Sequence, residues 1–166
     1  MKANSRLFDF SILLLACAAP LLAQNSPSSA GGRIDYDSAG APATIQFRAG
    51  QHNSALNGEI TFDGNVETPP GVFTAVSVTV TVDCLAVFGN RAAMSGPITA
   101  SSQPELAGSR SLLAVEDNGQ GKNSPPDRFT WFLISAADCQ TFPLATAPLQ
   151  EVPGGHVHVK ASNAPF

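Results

Sequence analysis

Four valines at every second position constrain this chain more than any other feature. Val76, Val78, Val80 and Val82 alternate with Ser77, Thr79, Thr81 and Asp83. Only an extended backbone, whose side chains point to two faces in turn, puts all four valines on one side. Val and Thr also lose side-chain freedom in a helix and pack well on a pleated surface. Such a strand needs neighbours to pair its amides and cover its valine face. The same period recurs where Ile45, Phe47 and Ala49 alternate with Thr44, Gln46 and Arg48, and where Ile60 and Phe62 alternate with Glu59, Thr61 and Asp63. Further strands are expected at 91–100, 111–116, 128–134 and 155–161, with a weaker one at 33–37, and no window has the caps and period of a helix. The expectation is an all-β domain of about eight mostly antiparallel strands, as a small barrel or a sandwich.

One hairpin can be registered residue by residue. Gly89-Asn90 separates two apolar runs and puts glycine at the first central position, as a type II′ turn prefers. Val87 then faces Ala92, and Leu85 faces Met94. Carried on unbroken, this register sets Thr81 against Ile98 and turns the valine face away from the core. One extra residue at Asp83-Cys84, a β-bulge, repairs it by pairing Val82 with Gly96 and Val80 with Ile98. The alternative is a segment buried on both faces, which needs no bulge.

Residues 1–23 have the pattern of an export signal. Lys2 and Arg6 precede a largely apolar Leu7–Ala19, and Leu21-Leu22-Ala23 offers a cleavage site. The apolar run is shorter than the roughly 20 residues of a membrane span, and no later stretch rivals it, so no integral membrane segment is expected in the mature chain. Leu14-Leu15-Ala16-Cys17 also matches a lipobox, in which Cys17 would carry a lipid anchor. The apolar Ala18–Ala23 that follows, and the even cysteine pair left by ordinary cleavage, favour a soluble chain starting near Gln24. Residues 24–32 are expected to be a flexible lead-in, 33–161 a single β domain and 162–166 a C-terminal tail. Removing Lys2, Arg6 and Asp9 from 9 basic and 13 acidic residues leaves 7 and 12, a net charge near −5. That balance argues against nucleic acid as a partner.

The residues able to carry chemistry are few. Cys84 and Cys139, the cysteines left after export, are expected to form a structural disulfide; two buried free thiols are the alternative. The loop Asp117-Asn118-Gly119-Gln120-Gly121 with Pro125-Pro126-Asp127 supplies oxygen ligands of the kind Ca²⁺ takes, with Asp117, Asn118 and Asp127 as the candidates. The same residues are ordinary turn chemistry, and no glutamate closes an EF-hand pattern. His156 and His158 share one face of a strand and, with His52, would make a three-histidine metal site, against the plainer reading of a solvated strand. Trp131 and Phe132 lie on opposite faces, so one aromatic could stack on a sugar or an apolar ligand, against a core role. No nucleophile motif is present. Asp83, His52 and Glu59 are the polar side chains that a ligand-holding barrel interior would use.

The ordered segments Cys84-Leu85-Ala86-Val87-Phe88-Gly89-Asn90-Arg91-Ala92, Gly96-Pro97-Ile98, Val115–Gly121, Pro125-Pro126-Asp127 and Gly154-Gly155-His156-Val157-His158-Val159 resemble a group of small exported bacterial β-domain proteins of unknown function. The resemblance covers roughly 33–161. It implies an exported β domain and carries over no catalytic or binding residue. Three functional classes remain open: a non-enzymatic binding or envelope-associated structural module, a β-barrel carrier or enzyme, and a carbohydrate-binding module with a Ca²⁺ loop.

Overall fold

A computed structural model of the chain describes residues 27–38, 40–67 and 70–161. The expected signal peptide, its Cys17 lipobox and the tail 162–166 lie outside the described residues. The strands are β1 (Ser28–Ser38), β2 (Ala41–His52), β3 (Ala55–Glu67), β4 (Phe73–Thr81), β5 (Cys84–Phe88), β6 (Arg91–Ser101), β7 (Arg110–Glu116), β8 (Arg128–Phe132), β9 (Gln150–Glu151) and β10 (Gly154–Lys160). They form one antiparallel sheet in the order β10-β1-β2-β3-β4-β6-β7-β8-β9, with β5 added beside β6, and the sheet curls into a half-barrel. The fold class is therefore the expected one, resolved toward a barrel and away from a sandwich.

Alternation explains the core. Ile34, Ile45, Phe62 and Val78 stand in one cross-strand row, and Phe47, Ile60 and Val80 in the next. All face the concave side and are buried together with Met94, Leu113, Val115 and Phe129 from the opposite wall. The concave side is thus filled by apolar side chains, and burying each large one contributes about 1.5–3 kcal/mol. Arg48, Glu59 and Thr79 alternate with these residues and line the convex face.

The hairpin register is as expected. Val87 pairs Ala92, Leu85 pairs Met94 and Val80 pairs Ile98. Gly89 takes φ +60° while Asn90 keeps a negative φ, the type II′ pattern. The extra residue lies at Asp83-Cys84, as expected: Cys84 pairs Ser95 and the Asp83 amide bonds the carbonyl of the same Ser95 at 3.1 Å, while the Val82 amide bonds the Gly58 carbonyl at 3.0 Å. A second irregularity, unforeseen, skips Thr99 on β6 between Thr79 and Val80 and compensates the first. Both faces of the hairpin's second strand are buried all the same, because residues 133–149 fold back over the outside of β6 and β7. Leu144, Ala147 and Leu149 cover Ala93, Leu112 and Ala114 there, in a second apolar layer.

Two expectations need correction. Residues 28–32 are not a lead-in but the first half of β1, paired with β2 on one side and β10 on the other. Their lack of apolar period reflects close packing instead: a Cβ on Gly32 would lie 2.3 Å from the His156 carbonyl oxygen and 3.0 Å from the Phe47 ring. The strand expected over 128–134 stops at Phe132, where the chain leaves the sheet to begin the covering segment.

Candidate functional site

The open seam of the half-barrel gathers most of the residues singled out above. β10 pairs β1 along one edge, and its other edge faces the ends of β7 and β8. Among the described residues, no strand bonds it there. Instead the Asp127 carboxylate accepts the Val157 amide at 2.9 Å, and the Asp117 carboxylate accepts the Val159 amide at 2.9 Å. Their second oxygens accept the Asn118 and Gly119 amides at 2.8 and 2.9 Å. The Asn118 side chain donates to the Pro126 carbonyl, and the Asn90 side chain donates to the Asp117 carbonyl. The three residues proposed as cation ligands thus stand together, and every carboxylate oxygen of the two aspartates holds a backbone N–H. This arrangement latches the seam and satisfies amides that an edge strand would leave bare.

The histidines do not converge. His158 is exposed, with Nδ1 3.5 Å from Asp117 Oδ2. His52 sits at the tip of the β2–β3 hairpin and shares an open groove of about 590 Å³ on the convex face with His158 and Arg48, whereas His156 lies outside that groove. Among the described residues, no three His, Cys, Asp or Glu side chains gather at metal-binding distance.

The polar residues expected inside a ligand-holding barrel are exposed. His52 and Glu59 face solvent, and Asp83 protrudes at the bulge, where Arg110 grips both its oxygens at 2.6 and 2.9 Å. The physical reason is alternation: Glu59 adjoins the inward Ile60 and Asp83 adjoins the inward Val82, so both point out, while His52 lies at the hairpin tip.

The disulfide is present. Cys84 and Cys139 are bonded with Cα atoms 5.7 Å apart, tying the covering segment 133–149 to β5. Ser95, fully buried, accepts the Cys139 amide at 3.1 Å beside it. Arg91 holds the far end of the segment, donating to the carbonyls of Leu144 and Ala145 at 3.1 and 3.2 Å while its other nitrogen lies 2.8 Å from Glu116. Nothing local in the sequence marked Arg91 for this role, because its carbonyl partners lie more than fifty residues away.

Trp131 has the concave position. Its ring lies nearly parallel to Phe62, centroids 6.2 Å apart, while Phe132 on the convex side meets Phe142 edge-on at 6.1 Å. Trp131 is only half-buried, because the seam opens beside it. There Tyr36, edge-on to Phe129 at 5.1 Å, forms with Thr130, Trp131, Pro148 and Gln150 the wall of an open groove of about 410 Å³. Burial pushes the Tyr36 phenol above its ordinary pKa, against a smaller opposing effect of the Ser38 side chain, so it stays a neutral hydroxyl through physiological pH.

Fold and site together define an all-β half-barrel with a disulfide-pinned cover and a carboxylate-latched seam. No protein-family model, curated protein or solved structure matches the chain.

Proposed function

We propose that this protein is an exported, non-enzymatic binding or envelope-associated structural module that acts through its surface. The observation that carries the reading is the filled concave side: apolar side chains occupy the space in which a carrier or barrel enzyme would hold its ligand. The three polar residues that could have furnished such an interior point to solvent instead. Export is supported by the basic-apolar-small pattern of residues 1–23, by the Cys84–Cys139 disulfide, which belongs with an oxidising compartment, and by the resemblance to exported bacterial β domains.

Native mass spectrometry of the protein recovered from the periplasm or medium tests both parts. The expected species is a chain beginning near Gln24, with one disulfide and no retained small molecule. A small molecule that remains bound through purification would overturn the module reading in favour of a carrier. A diacylglyceryl group on Cys17 would replace the free exported form with a lipid-anchored one.

A further inference from the structure

We propose that the seam groove between β1 and β8 binds a neutral pyranose ring of an oligosaccharide; the inference deepens the binding-module reading and rests on it. The groove, at about 410 Å³, is of ligand-holding size. Tyr36 and Trp131 form its aromatic walls, and such rings accept the apolar C–H face of a sugar while leaving its hydroxyls free. Polar heads surround them. The Trp131 indole N–H and the Gln150 amide make no side-chain hydrogen bond among the described residues, and neither residue is fully buried.

That combination selects the ligand class. A purely apolar ligand would cover both hydrogen-bonding groups without giving them partners, which opposes binding. An ionic ligand finds no counter-charge among the described residues, because none of their Lys, Arg, Asp or Glu side chains lines the groove. A ring with apolar faces and a rim of hydroxyls answers both demands. The missing carboxylates also separate binding from hydrolysis, since glycoside cleavage in most enzymes uses a pair of them across the bond.

Trp131 is the single tryptophan of the chain, so intrinsic fluorescence reports on the groove directly. The mature protein is titrated with cello-, xylo-, manno- and chito-oligosaccharides, and binding is checked by calorimetry. The expected result is a saturable change in Trp131 emission with at least one of them, weakened about tenfold in Gln150→Ala while the melting temperature holds, and unchanged in Thr130→Val, whose side chain lies on the opposite face of β8 from Trp131. No binding by any of the four series at millimolar concentration overturns the proposal. Binding that Gln150→Ala leaves unchanged overturns it too, by placing the sugar elsewhere. An emission change with anilinonaphthalene sulfonate that the sugars do not compete away marks an apolar groove and overturns the sugar assignment, yet leaves the module reading standing. Shortening of the bound oligosaccharide, seen by chromatography, overturns the non-enzymatic reading while supporting the groove.

Discussion

Single atoms decide several features of this fold. Gly96 lies on β6 opposite the bulge, where an added Cβ would stand 1.9 Å from the Thr81 carbonyl oxygen, a backbone atom that cannot swing aside. Gly96→Ala is expected to cost at least the upper end of the roughly 1–3 kcal/mol typical of overpacking, read as a fall in urea midpoint. Gly89→Ala has open space around it and meets only the strain of φ +60°, about 1–2 kcal/mol. Equal losses at the two sites would mean that the bulge does not press against β6 as described. Asp138 gives a second residue-scale expectation. Its carboxylate accepts the Thr141 amide at 2.9 Å, the Thr141 hydroxyl at 3.1 Å and the Gln140 amide at 3.0 Å, and these bonds hold its pKa below the ordinary aspartate value. Because the folded pKa is the depressed one, the turn's stabilisation is complete above the unfolded value near 3.8 and disappears as pH falls through the folded value. A carboxyl-carbon NMR titration should show Asp138 titrating below that value, and Thr141→Val should move it back up. An unshifted wild-type Asp138 would remove the turn's electrostatic role.

At the scale of elements, alternation was readable wherever one face of a strand is buried and the other is wet, as in β2, β3 and β4. It failed in three places for distinct reasons. β1 starts in Ser28-Ser29-Ala30-Gly31-Gly32, where small residues are needed for close approach and no apolar period survives. β9 is too short to have a period. The cover 133–149 is irregular, held by a disulfide and by Arg91 rather than by repeating contacts. The candidate site divided along the same line. Asp117, Asn118 and Asp127 stood out as oxygen-rich, but the amides they latch lie 30 and 42 positions further on, and only closure of the sheet brings them in. A latch and a cation site make opposite demands. Asp127→Ala removes the acceptor of the Asn118 and Val157 amides and is expected to cost about 2–4 kcal/mol; Asp127→Asn, keeping one acceptor oxygen, should cost less. Hydrogen exchange at Val157 should quicken in both. A chelator should leave the wild-type melting temperature unchanged, and a fall restored by Ca²⁺ would show that the loop holds a cation after all.

The described domain is a curled sheet drawn together at one latched seam, and that seam explains why its first and last strands both matter. Ser29 pairs Lys160, so the first and last strands are neighbours although the rest of the domain separates them in sequence. Closing the sheet therefore requires nearly the whole chain, and β10 serves two masters: backbone bonds to β1, and amides given to Asp117 and Asp127. Deleting residues 154–166 should strip the edge of β1 and expose the core beneath Val157, which is fully buried. It should also leave two carboxylates without their donors, a set of losses that matches or exceeds the ordinary stability of a domain, about 5–15 kcal/mol. The truncated chain is expected to aggregate or to melt without a cooperative transition. A circular permutant separates loss of the strand from loss of the order of connection. Joining residue 161 to residue 27 with a short Gly/Ser linker, and opening the chain between the exposed Gly71 and Val72, keeps every pairing while moving the termini to a turn. It should fold cooperatively and form the Cys84–Cys139 bond, as shown by the absence of titratable thiols after unfolding without reductant. A permutant that fails while the β10 deletion folds would mean that the seam is not where this half-barrel is held together.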